Sequence, residues 1–215
     1  MGSLARYLRN HPDDFKAASA GYLQADPQKV AQLREQLHEG KPSTVIGISW
    51  KSNNKITGAA RSLELKTLIK PLMRDGVRFV NLQYGDVDHD IDRVRASLGA
   101  DIVNLKEIDN FTDIDTLAAL ICACDTVVSA ANATVHLAGA LNQTVHALLP
   151  YTSYWRWQTK RSDSYWYDSV KLYRQASNGE WADVLAKVAS NLAPNNQLSY
   201  EAMVTSAKAL VNQGQ

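Results

Sequence analysis

Apolar and polar positions alternate between two periods along this chain. Short apolar, β-branched runs recur at 44–50 (TVIGISW), 77–83 (VRFVNLQ), 100–105, 126–129, 144–149 and 170–173. Runs of that length read as strands buried on both faces. Between them apolar residues return every three or four positions, which predicts helices. One carries Val30, Leu33 and Leu37 behind an Asp26 N-cap and Pro27. A second carries Leu63, Leu65, Leu68, Ile69, Leu72 and Met73 behind a Ser62 cap. Others fall at 88–98, 114–123, 132–141 and 181–192, with Gly40 and Pro42, Asp75-Gly76, Gly99 and Asn142 as stops. Leu4, Tyr7 and Leu8 predict a short leading helix, and a weak stripe over 200–211 predicts a last one. Helices and strands thus alternate. The expected fold class is α/β: a Rossmann-like open parallel sheet with helices on both faces, plus helical N- and C-terminal extensions.

The central unit is 125–150, a strand, a small-residue turn, a helix and a strand. The turn, Ala130 to Thr134, lies at the carboxyl end of a strand and the amino end of a helix. Backbone N–H groups are unpaired there and the helix dipole favours an anion. His136 falls one turn into that helix, where its ring leans back toward the amino end. Lys51 lies just past the first strand on the same sheet edge and can meet phosphate oxygens as a point charge. A plain solvated lysine is the alternative reading. It opens a polar loop of about a dozen residues, a length associated with function. Gln83 and the acidic loop 106–113, with Asp109 and Asp113, also follow strands; Asp113 reads as the N-cap of 114–123. The most aromatic stretch holds Tyr151, Tyr154, Trp155, Trp157, Tyr165, Trp166 and Tyr167, mixed with Arg156, Lys160 and Arg161. Such residues can stack a base or a sugar, line a nucleic-acid surface, or pack a loop onto the sheet.

Composition narrows these choices. The formal net charge is +1 and charged residues are 21%, which gives no bias toward nucleic acid or an anionic membrane. Cys122 and Cys124 have no further cysteines with which to build a zinc site. They read as reduced core thiols, which fits a cytoplasmic setting. No apolar run approaches the roughly 18 residues of a membrane span.

Several stretches carry a family likeness: 21–27 (GYLQADP), 45–54 (VIGISWKSNN), Arg61-Ser62-Leu63-Glu64-Leu65, 79–85 (FVNLQYG), 110–129 and 136–141 (HLAGAL). Trp155-Arg156-Trp157, Tyr165-Trp166-Tyr167, Tyr173-Arg174-Gln175 and Trp181 continue it. Together they resemble the carboxyl-terminal half of GT-B glycosyltransferases of the heptosyltransferase type (glycosyltransferase family 9), and the similar domain that ends bacterial tetratricopeptide-repeat proteins. The resemblance implies one half of a GT-B fold that binds a nucleoside-diphosphate sugar of unknown base, with no cofactor and no metal. Lys51 and His136 would contact phosphate, and Asn132, Ala133 and Thr134 would offer backbone amides. Gln83, Asp109, Phe111 and Thr112 would line the nucleoside. It divides the chain into a linker or helical remnant at 1–25, a nucleotide-sugar-binding domain at 26–192 and a C-terminal helix at 193–215. The partner would be an N-terminal GT-B domain or a tetratricopeptide-repeat region. Catalytic residues stay unassigned, because a GT-B enzyme uses two domains.

One departure matters. Relatives carry Asp where this chain has Ala131, so the resemblance implies a donor-binding domain that is incomplete or weakly active alone. The alternative is a catalytically degenerate module used for protein interaction or scaffolding. A nucleotide-sugar epimerase ranks last, for want of an acidic and histidine pair suited to acid–base work.

Overall fold

The structure, a computed structural model, describes residues 5–15, 21–39 and 44–192. The stops expected at Gly40 and Pro42 and the helix expected over 200–211 lie outside the described residues. Two elements lead in: α1 (Ala5–Leu8) and α2 (Pro27–His38). Then come β1 (Thr44–Ser49), α3 (Gly58–Arg61), α4 (Leu65–Ile69), β2 (Val77–Asn81), α5 (Asp88–Leu98) and β3 (Ile102–Val103). The second half holds α6 (Ile114–Ala123), β4 (Thr126–Ala130), α7 (Ala133–Ala140), β5 (Val145–Leu149), β6 (Val170–Arg174) and α8 (Ala182–Asn191). The strands form one parallel sheet in the order β3-β2-β1-β4-β5-β6. Chain order runs outward from β1 to one edge and from β4 to the other, so the switch point lies between β1 and β4.

Side chains alternate across the strands, and each face is covered by helices. On one face Ile46, Ile48 and Phe79 pack with Leu68 of α4, Ile91 of α5 and Val184 of α8. On the other Val45, Val80 and Val127 pack with Leu37 of α2, Leu120 of α6 and Val135 of α7. Gly47 sits in the middle of β1 because a Cβ there would come within 2.5 Å of Leu82 Cδ1 and 3.1 Å of Cys124 Sγ. A half-buried ion pair fastens α2 to the sheet. Arg34 Nη2 reaches Asp125 Oδ1 at 2.5 Å, and the other carboxylate oxygen takes the Val45 amide at 2.8 Å.

The expected helix behind a Ser62 cap is replaced by two short pieces. Asn54 Oδ1 accepts the amides of Ile56 and Thr57 and starts a turn earlier, inside the loop. Ser62 closes α3 instead, with its hydroxyl donating to the Gly58 carbonyl at 2.8 Å. Pro71 then falls in a 3-10 turn, Lys70–Leu72, where its missing N–H is tolerated. The apolar set still faces the core, except Met73, which is exposed. The strand expected over 100–105 shrinks to the two residues of β3. Among the described residues no helix is long and apolar enough to cross a membrane.

Candidate functional site

The site is built where β1 and β4 end, at the switch point. Asn132 caps α7: its Oδ1 accepts the Thr134 amide at 2.9 Å and the Ser129 hydroxyl at 3.2 Å. Its Nδ2 donates to Ser49 Oγ at 2.6 Å and to the Lys51 carbonyl at 2.9 Å. All four hydrogen-bonding positions of the carboxamide are filled. Ser49 Oγ in turn donates to Gln83 Oε1 at 3.0 Å, which also accepts the amides of Trp50 at 3.0 Å and Lys51 at 2.8 Å. A buried polar chain thus links the ends of β2, β1 and β4. This revises what the sequence led us to expect. Asn132 and Gln83 are spent inside the protein, the Asn132 amide is bonded to the Ala130 carbonyl at 2.7 Å, and the Thr134 amide is capped. Of the three expected amides, that of the exposed Ala133 has no protein acceptor among the described residues.

Lys51 stands at the same edge, but its ammonium is paired with Asp90 of α5. Burial works against the charge on Asp90, yet the Lys51 contact outweighs it and holds the carboxyl below its usual range. His136 faces the aromatic loop. Its ring lies on Trp157, with centroids 5.0 Å apart and planes 15° from parallel, and Nδ1 is 3.2 Å from the Tyr167 hydroxyl. Tyr167 occupies the space a side chain at Gly139 would need, since a Cβ there would meet the ring at 2.6 Å. Gly139→Ala is therefore expected to push Tyr167 off His136 and cost about 1–3 kcal/mol, read as a lowered urea midpoint.

Burial, aided by the nearby Arg156 charge, pushes His136 down from 6.5 to about 4; burial and Lys171 do the same to His146. Both rings are neutral at pH 7. An unfolded chain takes up these protons below about pH 6.5, the folded chain only near 4. The stability they contribute is thus complete above pH 6.5 and lost as pH falls toward 4. The loss is expected to reach about 1.4 kcal/mol per pH unit for each ring. Denaturation series between pH 7.5 and 4 check this; replacing both histidines by glutamine should flatten the curve.

Asp109 organises its own loop. It accepts the Phe111 amide at 2.9 Å and the Thr112 hydroxyl at 2.5 Å, which together hold its carboxyl below the usual range. Asp113 caps α6 through the Thr116 amide, as expected. Phe111 is 68% exposed and lies 5.9 Å from the Tyr84 ring. Beside this pair a cavity of about 310 Å³ opens between the ends of β2 and β3, lined by Gln83, Tyr84, Asp88, Asn104, Lys106 and Asn110 among others.

Two arginines stand at this edge: Arg156, which the sequence places among residues able to stack a base or a sugar, and Arg61, to which the sequence gives no site role. Arg61 Nη1 donates to the Ala131 carbonyl at 3.2 Å, Nη2 bonds Thr57 Oγ1, and Cζ lies 4.1 Å from the centre of the Tyr154 ring. The Tyr154 hydroxyl is 3.1 Å from Thr57 Oγ1. Arg156 approaches the same ring at 5.6 Å and the Trp155 ring at 5.8 Å. Among the described residues neither guanidinium is paired with a carboxylate. Two cations thus lie near one tyrosine, and one of them, Arg61, reaches the turn that precedes α7. Arg61 reads in the sequence as a helix opener. Its approach to Ala131 depends on α3 folding the 51–61 loop back over the turn, which local pattern does not encode.

The fold has counterparts in solved structures. The ADP-heptose lipopolysaccharide heptosyltransferase II of Escherichia coli superposes with a TM-score of 0.56 at 20% identity, over 79% of this chain and 50% of that one. A glycosyltransferase family 9 protein of Veillonella parvula gives 0.54 at 12% identity, over 90% of this chain and 54% of that one. The chain therefore has the Rossmann-like fold of these GT-B glycosyltransferase neighbours and spans about half the length of each. Protein FlbA of Caulobacter vibrioides is 34% identical over 193 residues, 89% of this chain; the chain spans 32% of that relative. No protein-family model matches the chain.

Proposed function

We propose that this chain is the nucleotide-sugar-binding half of a glycosyltransferase. The observation that carries the reading is Arg61, bonded to the Ala131 carbonyl in the turn before α7, with Arg156 near the same Tyr154 ring. A diphosphate placed there meets a helix amino end and two guanidinium forks, the groups that best match phosphate oxygens. The same groups would stabilise charge on the diphosphate as it leaves the sugar. Lys51 joins only by giving up Asp90. His136, neutral and packed, orients the loop that carries Arg156 rather than charging the site. The nucleoside would extend toward Phe111 and the cavity beyond β2. Both superposed neighbours are about twice the length this chain spans, and transfer would require the other half.

The buried, internally saturated chain through Asn132 and Gln83 favours a second reading, as does the missing carboxylate at Ala131. On that reading the module is kept for protein interaction or scaffolding. Thermal unfolding with a panel of UDP-, GDP- and ADP-sugars separates the two. A ligand at a hundred times its Kd should add about 2.7 kcal/mol of stability. No shift with any nucleotide, at millimolar concentration, would favour the scaffold.

A further inference from the structure

The aromatic loop after β5 divides its rings between two tasks. Trp157 and Tyr167 pack inward against His136 and Gly139, and Tyr165 and Trp166 contact Phe15 of the lead-in. Tyr151, Tyr154 and Trp155 are 56%, 38% and 54% exposed, Trp155 resting edge-to-face against Trp166 with centroids 6.0 Å apart. Exposed rings cost solvation, and three within five residues are more than packing of the loop requires. Two of them, Tyr154 and Trp155, lie near Arg156, which has neither hydrogen bond nor ion pair among the described residues. The loop is fixed from behind: Arg174 bonds Ser153 and donates to the carbonyls of Trp157 at 3.1 Å and Gln158 at 2.6 Å. These rings are therefore held in place, not waving in solvent.

Their position relative to the anion site is equally fixed. The Tyr154 ring lies near both Arg61 and Arg156, and its hydroxyl meets Thr57. Arg61 reaches the Ala131 carbonyl, next to the α7 amino end. The contacts run in series from the turn before α7: Arg61 to the Ala131 carbonyl, Arg61 to Tyr154, Tyr154 to Arg156, and Arg156 to Trp155. A ligand whose phosphates occupy the first of these groups would carry its remaining moiety onto the last. At Ala131, where the series starts, a methyl group offers a sugar hydroxyl nothing to bond.

We propose that Trp155 and Arg156 form the subsite for the pyranose ring of the nucleotide sugar, with Arg156 shared between that ring and the diphosphate. This rests on the nucleotide-sugar reading above and adds to it the residues that recognise the sugar. An indole face covers the C–H face of a pyranose. The guanidinium of Arg156 offers five N–H donors to its hydroxyls, in place of an acceptor at Ala131.

The test compares each nucleoside diphosphate with its own sugar conjugate, using the full chain and calorimetry. The UDP, GDP and ADP series are the probes. Trp155→Ala should leave the affinity for the nucleoside diphosphate within about twofold of wild type and weaken the conjugate about fivefold. Trp155→Phe should restore most of that loss. Arg156→Ala should weaken both ligands, the conjugate more. Equal loss for both ligands in Trp155→Ala, or no loss for either, overturns the sugar subsite while leaving the nucleotide site intact. Silence of the wild-type chain toward every nucleotide overturns both. Unchanged far-ultraviolet circular dichroism of the variants shows that the fold is retained, as exposure of Trp155 predicts.

Discussion

Asn132→Ala is expected to lower folding stability by about 3 kcal/mol, the largest single effect anticipated here. The alanine would abandon four hydrogen bonds at once. The Thr134 amide loses its cap, typically worth about 1 kcal/mol. Ser49 Oγ loses a donor and Ser129 Oγ an acceptor, both fully buried, and the Lys51 carbonyl is left bare. Stranded polar groups of this kind cost about 1–3 kcal/mol each when no relaxation rescues them. Asn132→Asp should be almost as harmful. It keeps the cap but turns the two donated bonds into contacts between oxygens. Guanidinium denaturation reads the effect as a lower midpoint at an unchanged slope. A loss under about 1 kcal/mol would mean that the chain through Ser49, Asn132 and Gln83 does not hold the strand ends together.

Arg61→Ala should do the reverse, sparing the fold and removing function. The guanidinium sits at a half-buried rim and bonds only a carbonyl and a hydroxyl, so its loss should cost stability less than about 1 kcal/mol. A charge-assisted bond to phosphate is worth about 1.5–3 kcal/mol, so nucleoside diphosphate affinity should fall about 10- to 100-fold. Arg61→Lys should fall between, because an ammonium keeps the charge but cannot grip two oxygens in a fork. Added salt should narrow the gap between wild type and variant.

The sheet was legible because its strands are short β-branched runs and its helices carry full apolar stripes. Leu33 and Leu37 of α2, or Leu117 and Leu120 of α6, leave little choice of face. Caps were legible where a side chain bonds its own helix, as Asp26 does to Gln28 and Lys29 and Asp113 to Thr116. The N-cap role of Asn132 was missed, since a small-residue turn also reads as an open anion cradle. The site was harder to read because its contacts span the chain. Asn132 meets Ser49 across 83 positions and Arg61 meets Ala131 across 70. Sequence period places residues at the correct sheet edge. It does not reveal whether a polar side chain there turns outward to a ligand or inward to a neighbour, and Gln83, Lys51 and His136 all turned to neighbours.

Calorimetric titration of UDP-, GDP- and ADP-sugars into the full chain, repeated with Arg61→Ala, decides whether Arg61 and the turn before α7 hold a diphosphate. Saturable heat is expected for at least one nucleotide sugar in the wild-type chain, with affinity about 10- to 100-fold lower in a variant that loses less than about 1 kcal/mol of stability. Binding that survives Arg61→Ala unchanged would contradict a diphosphate held there.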